Sequence, residues 1–309
     1  MALNIIMYHY VRDFKSSLYK NISGLDINEF DHQIRYLKKN FIILNPSDAK
    51  KKILQSYNFN KKYCWLTFDD GYIDHYKFVR PILKKYNIYG SFFPPVITIS
   101  QPVVLDVHKI HFILAQVNDS ALLLKEIENL YAEFKRDIDA EFVDIASSIN
   151  SIHRYSSPDT IKVKRLLQTV MESNIRIKIC DSLFTKYVTQ DTAAFSADLY
   201  MDDTMLQELS DDGHEIGSHG VNHYRFDLLN KDDQEFEIKS SKTYLKNIGV
   251  LPKDWTMCYP YGAYNQTTID MLKKYSCNIA LTAASGNPSY KKYDQYTVPR
   301  YDTNDFPKS

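Results

Sequence analysis

Short apolar runs alternate with amphipathic stretches toward both ends of this chain, and that alternation most constrains its fold. Residues 3–8, 41–44, 63–68 and 91–93 read as strands. Between them, residues 26–39 read as a helix that Asp26 can cap, with Phe30, Ile34 and Leu37 at helical spacing. Residues 47–56 and the stretch marked by Phe78, Ile82 and Leu83 read as two more helices. The pattern resumes near residue 199. Asp202 or Asp203 caps a helix through Met205, Leu206 and Leu209 that Gly213 ends. A strand at 215–217, a helix at 231–247 carrying Phe236, Tyr244 and Leu245, a strand at 255–259, a helix at 266–275, a strand at 279–282 and an extended segment at 296–301 follow. Such alternation implies parallel strands with all strand-to-helix loops on one face, the face where barrel enzymes carry their chemistry.

Residues 103–196 break the pattern. Phe142, Ile145, Ile149 and Ile152 recur at helical spacing, and Ser157-Pro158-Asp159 reads as a helix start before Ile161, Leu166, Leu167, Val170 and Met171. Strand signals are nearly absent. The expected organisation is an α/β domain made of 1–102 and 197–309, with 103–196 as a helical insertion that either restricts access to the site or forms an oligomer contact away from it.

Two clusters carry the chemistry. Asp69 and Asp70 end the apolar run Cys64-Trp65-Leu66-Thr67-Phe68, and Gly71 follows. His219 and His223 stand four apart in Ser218-His219-Gly220-Val221-Asn222-His223, just after a strand. One Asp with two His forms a three-donor set that suits a divalent metal with open positions. The other Asp is then free to act as a general base on water. Adjacent carboxylates on extended backbone point differently, so the two can hold different roles.

These residues resemble the motifs of a known family. Thr67-Phe68-Asp69-Asp70-Gly71 resembles the first motif of the polysaccharide deacetylases (carbohydrate esterase family four, the NodB-homology domain). Ser218-His219-Gly220-Val221-Asn222-His223 resembles the second, and Tyr259-Pro260-Tyr261-Gly262 the third. The resemblance covers roughly 1–98 and 199–302. It implies a distorted, incomplete (β/α)7 barrel and a bound divalent ion, zinc first, with cobalt, nickel or manganese as alternatives. It implies Asp69 as the base, Asp70, His219 and His223 as ligands, and the backbone N–H of Tyr261 as a donor to an oxyanion.

The chain departs from the family pattern twice. The Arg that opens the third motif is Cys258 here, and no His follows His223, so the late Leu-x-His motif that supplies the general acid is missing. Ala280-Leu281-Thr282-Ala283 occupies its place. His9, in an opening that resembles family members beginning with a Tyr-His pair, is the substitute acid expected to reach the same rim. Arg300, in Val298-Pro299-Arg300, is the candidate for the missing positive charge near Asp69. His214 reads as part of a turn into a strand, and His108 and His111 as part of an ordinary helix start.

Formal net charge is zero, so no long-range field favours nucleic acid or an anionic membrane. The four cysteines are widely spaced and form no CxxC pair, as expected of reduced thiols rather than a structural zinc or a disulfide framework. With no transmembrane stretch and no signal-like start, the expected location is cytoplasmic. The leading expectation is metal-dependent removal of an N-acyl group, acetyl first, from a sugar or a precursor of surface glycan. A metal-dependent amidohydrolase acting on a non-sugar amide or ureide, and a non-catalytic glycan binder, are the competing readings.

Overall fold

The structure, a computed structural model, describes residues 3–55, 61–135, 142–147, 149, 157–286 and 294–308. Ile152, expected on a helical face, lies outside them. The chain divides into two compact units, one of Met1–Asp13, Gly24–Pro102 and Ala197–Ser309, the other of Phe14–Ser23 and Val103–Ser196.

Among the described residues, seven parallel strand segments make the ring of the first unit, and Ile42–Ile43, the short strand expected at 41–44, pairs parallel beside Tyr63–Cys64. The seven are β1 (Leu3–Tyr8), β2 (Tyr63–Asp69), β3 (Ser91–Phe93), β4 (Glu215–Ile216), β5 (Thr256–Cys258), β6 (Ile279–Leu281) and β7 (Tyr301–Asp302). β1 pairs β2 from Leu3↔Tyr63 to Tyr8↔Phe68, β2 pairs β3, β3 pairs β4, and β7 returns to β1 at Ile6↔Tyr301. β5 and β6 pair separately, and single bridges at Ser218↔Met257 and Leu281↔Val298 join them to the rest. A ring closed by isolated bridges rather than full ladders is the distorted, incomplete (β/α)7 barrel expected. Because these strands all pair in parallel, the carboxyl ends of β2, β4 and β5 and the approach to β7 meet at one rim.

Side-chain alternation sorts the strands into an inside and an outside. Leu3 and Ile5, Tyr63 and Trp65, Phe93, Cys258, Ile279, Leu281 and Val298 form one buried cluster that draws on five strands, so it fills the ring. Their neighbours Ile6, Tyr8, Leu66, Phe68 and Phe92 face outward and bury the helices. Helix α1 (Ile27–Asn40) packs Phe30, Ile34 and Leu37 there, and Asp26 caps it in a reciprocal box with Glu29. α2 (Pro46–Leu54) starts at Asn45, whose side chain accepts from Asp48 N–H.

The helix expected around Phe78 begins as a π-helical turn, His75–Val79, before α3 (Arg80–Tyr86). Pro81 lacks the N–H that would continue a regular ladder, and the wider turn absorbs the mismatch. α4 (Val96–Ser100) follows Pro94-Pro95, α5 (Asp203–Asp211) is capped by Asp202, and α6 (Lys231–Asn247) and α7 (Gln266–Lys274) complete the outer layer.

At the end of the ring opposite the rim, Glu215 is held by Lys50 Nζ (2.8 Å), Thr256 Oγ1 (2.8 Å) and Ser91 Oγ (2.7 Å), and Trp65 Nε1 donates to Ser91. Every partner is buried, so this charge pair is fully hydrogen-bonded rather than merely sealed in.

The second unit is helical, and no strand occurs in it among the described residues. Asp106–Gln116, Ser120–Phe134 and Ser173–Tyr187 contribute buried Phe112, Ile113, Leu123, Ile127, Ile179, Leu183 and Phe184. Tyr19 meets Phe112 edge to face at 4.8 Å, which is why Phe14–Ser23, a segment expected in the barrel, belongs here. His108 and His111 lie on Asp106–Gln116, the ordinary helix expected. Ser157 caps Pro158–Arg165, but the face expected through Val170 breaks at a π-helical turn, Leu166–Val170, and Val170 turns outward. Among the described residues, no helix is long and apolar enough to cross a membrane.

Candidate active site

β2 is buried along its whole length and ends in Asp69. Trp65, Thr67 and Asp69 share its inward face, so Asp69 points into the ring. Asp70 leaves the strand at φ 74°, its N–H donating to Phe93 O (3.0 Å), and its side chain turns to a different partner set. Gly71 follows at φ 67°. A Cβ there would come within 2.7 Å of Pro94 Cβ, so the turn that aims Asp70 needs glycine.

Asp70 Oδ1 lies 3.5 Å from His219 Nε2 and 3.3 Å from His223 Nε2. All three residues are buried. Zinc–ligand bonds of about 2.0–2.1 Å at tetrahedral angles separate ligand atoms by about 3.3–3.4 Å, so the spacing fits one small ion. Two other atoms of the set are already engaged. Tyr72 Oη donates to Asp70 Oδ2 (2.9 Å), leaving Oδ1 toward the histidines. His219 Nδ1 pairs with Cys258 O (2.7 Å), which fixes the tautomer that leaves Nε2 as the donor atom. The chemistry and spacing of the donors therefore suit a divalent metal.

Asp69 stands beside this set in a different environment. Arg300 Nη1 donates to Asp69 Oδ1 (2.9 Å) and Nη2 to Oδ2 (2.7 Å), a two-pronged pair. The guanidinium also donates to Thr67 Oγ1, Thr282 O and Cys258 Sγ, and both partners are buried. Burial alone would raise the Asp69 pKa. Arg300, and after it His219 and His9, more than reverse this and hold it at about 2. Asp69, His219 and Cys258 also place a donor atom each within 4.8 Å, but Arg300, 3.0 Å from Cys258 Sγ, puts a positive charge where a second cation would sit.

His9 follows β1, and its backbone oxygen pairs with His75 Nε2 at 2.8 Å. Burial lowers the His75 pKa to about 4, so that ring is neutral and donates. Tyr261 sits in the turn after β5 at φ 58°, its ring 4.9 Å from that of His223. Five non-glycine residues have positive φ among the described ones. Asn87 and Ser276 end helices, whereas Asp70, His223 and Tyr261 all lie in the site. Left-handed backbone at a bulky residue costs about 1–2 kcal/mol. Three such residues at one rim mark where the fold holds strain in place. His214 accepts from Gly90 N–H (3.2 Å) away from the rim, as its turn position suggested.

Sequence reasoning missed the supporting residues. Tyr72, two positions after Asp70, had the proximity but no motif to flag it. Glu237 and Ser241, on α6, reach the histidine loop only through tertiary packing.

Residues 178–280 match the family model described as polysaccharide deacetylase, a span that takes in His219, His223 and Tyr261 but not Asp69 and Asp70. A protein of Bacillus subtilis (strain 168) named "Putative polysaccharide deacetylase YxkH" is 32% identical over 92 residues. The match covers 29% of this chain, which thus spans about a third (31%) of that relative. Among solved structures, the Streptococcus pyogenes deacetylase PplD in complex with acetate aligns over 98% of this chain and 92% of its own, at 18% identity and a TM-score of 0.59. IcaB from Ammonifex degensii aligns over 97% and 90%, at 17% identity and 0.54. A de-N-acetylase from Aggregatibacter actinomycetemcomitans aligns over 97% and 94%, at 16% identity and 0.56. At such identities the likeness is one of fold. Over residues 178–280, the span of the matched family model, the chain is similar to the polysaccharide deacetylases in sequence as well as in fold.

Proposed function

We propose that this chain is a metal-dependent hydrolase that removes an N-acetyl group from a sugar or glycan precursor. The observation that carries the reading is the pairing of two unlike carboxylates. Asp70 converges with His219 and His223 at ligand spacing, while Asp69, next in the chain, is held apart and ionised by Arg300. A pure binder has no use for the second, separately charged carboxylate. Two of the fold neighbours, a deacetylase in complex with acetate and a de-N-acetylase, support acetyl as the group removed.

Asp70, His219 and His223 would hold the ion, with zinc the best fit to the donor spacing. When bound, it supplies Lewis acidity toward an acyl oxygen and lowers the pKa of water. Asp69 accepts the proton of the attacking water, and Arg300 keeps its carboxylate ionised and fixed in angle. The N–H of Tyr261 is the proposed donor to the developing oxyanion, a contribution on the order of 3 kcal/mol where such donors are preorganised. As the C–N bond breaks, His9 delivers a proton to the departing nitrogen, so amide and water become amine and acetate.

Asp69→Asn tests this. Its shape is preserved, so zinc uptake stays near wild type while acetate release from N-acetylated sugars falls by about 100 to 10,000-fold. A variant that keeps most of its turnover would place the base elsewhere.

A further inference from the structure

The two histidines flank a three-residue turn, Gly220-Val221-Asn222, and a turn of that length has no rigidity of its own. Here its backbone is held from two sides. Val96 N–H donates to Gly220 O (3.1 Å) and Ile97 N–H to Val221 O (3.0 Å), both from the start of α4. On the other side, Glu237 Oε2 accepts from Val221 N–H (2.6 Å) and Asn222 N–H (3.0 Å), and Glu237 Oε1 accepts from the Asn222 side-chain amide (2.5 Å). One turn of α6 further on, Ser241 Oγ pairs with Ser218 Oγ (2.7 Å), which accepts from Gly220 N–H (3.2 Å). Glu237 and Ser241 are both buried, four apart on one helical face. Gly220, at φ 75°, fits the same cradle, since a Cβ there would stand 2.9 Å from Glu237 Oε2.

Both carboxylate oxygens of Glu237 are engaged by the turn rather than by the histidine rings. Its side chain is spent on the turn. A buried carboxyl group is expensive to desolvate, and such groups persist where their hydrogen bonds fix something specific. We infer that Glu237 is a positioning residue. It presets the separation and angle of His219 and His223 before any ion arrives, so that binding does not have to order the turn. Outer partners of this kind govern metal affinity even though they never meet the metal. The inference rests on the reading of His219 and His223 as ligands.

The test compares the whole metal-free protein with Glu237→Ala, Glu237→Gln and, as a control, His219→Ala. Zinc affinity is measured by competition with a chromophoric chelator on the folded fraction, alongside hydrogen exchange of the backbone amides. Glu237→Ala is expected to weaken zinc binding about 10–100-fold and to expose the Val221 and Asn222 amides selectively. Glu237→Gln retains an oxygen for the two backbone N–H groups, and the Asn222 amide can turn to accept from its NH2, so affinity stays within about threefold of wild type and the two amides stay protected. Unchanged affinity and protection in Glu237→Ala would overturn the inference, as would a loss of protection spread evenly over the barrel. Should Glu237→Ala fail to fold, Glu237→Asp decides, because it keeps the charge but withdraws the carboxylate by one methylene. Wild-type affinity in that variant is the overturning result, and a loss like that expected for alanine supports the inference. If the wild type takes up no zinc, or His219→Ala binds as wild type does, the ligand reading falls instead, and selective protection of Val221 and Asn222 alone decides whether Glu237 holds the turn.

Discussion

Replacing Arg300 by Met isolates the pair that sets the state of Asp69. The side chain is nearly matched in length and apolar, so the change removes the guanidinium and its five hydrogen bonds while largely filling the space. Removing one partner of a buried ion pair strands the other and costs about 3–5 kcal/mol. Part of that cost has a characteristic pH dependence. Asp69 shifts from 3.8 to about 2 on folding, so its ionisation contributes about 2.5 kcal/mol above pH 4, lost as pH falls through 2, and about 1 kcal/mol of it is gone by pH 3. In the variant burial is opposed only by the weaker effects of His219 and His9, so the Asp69 pKa rises and most of that contribution is lost. The stability difference between the metal-free proteins should therefore be largest near pH 7 and shrink by at least about 1 kcal/mol at pH 3. Urea unfolding at a series of pH values measures this. A difference that is constant from pH 7 to pH 3 would show that Arg300 supports packing only, and the electrostatic account of Asp69 would be wrong.

His219→Ala and His223→Ala should each abolish stoichiometric zinc uptake, read by elemental analysis after dialysis; retained metal would locate the site elsewhere. Tyr72→Phe deletes only the hydroxyl that holds Asp70 Oδ2, and should weaken zinc affinity about 10–100-fold without changing apo stability by more than about 1 kcal/mol, measured by chelator competition and thermal melting. Burial lowers the His214 pKa from 6.5 to about 4, so the unfolded chain takes up a proton that the folded one refuses, and stability falls as pH drops from 6.5 toward 4, by on the order of 3 kcal/mol. His75 acts in the same window, so His214→Gln should roughly halve that slope rather than erase it, and an unchanged slope would count against the assignment.

The barrel was readable because strand and helix alternate with distinct periods, and the caps at Asp26, Asn45 and Asp202 state where helices begin. Extents were less readable. The strand expected over 255–259 narrows to Thr256–Cys258 because Tyr259 already enters the Pro260 turn. On α6 the apolar pattern holds at Ile238 and Leu245, which are buried, and fails elsewhere. Phe236 faces solvent, while Gln234, Glu237 and Ser241 are buried. Gln234 accepts from Thr268 and the other two hold the histidine turn, so the needs of the rim override hydrophobic periodicity. Local sequence carries the residues that would touch a metal, because they fall in tight motifs. It does not carry their supports, which approach from distant helices.

At position 258, where the motif resemblance would have Arg, this chain has Cys, and the cation beside Asp69 comes from elsewhere in the ring. The resemblance places a guanidinium at 258, yet Asp69 still has one, delivered by Arg300 from the segment entering β7. The ring makes this possible. Val298 bridges Leu281, Arg300 N–H donates to Ala284 O (3.0 Å), and β7 then pairs with β1, so residue 300 reaches the same level of the rim as residue 258. Cys258 Sγ lies 3.4 Å from Asp69 Oδ2 and 3.0 Å from Arg300 Nη2, and a longer side chain at 258 would occupy the volume that Arg300 fills. The small residue at 258 leaves that volume to the Arg300 guanidinium. What the chemistry constrains is a cation on both oxygens of Asp69, and a closed ring of parallel strands lets more than one strand provide it.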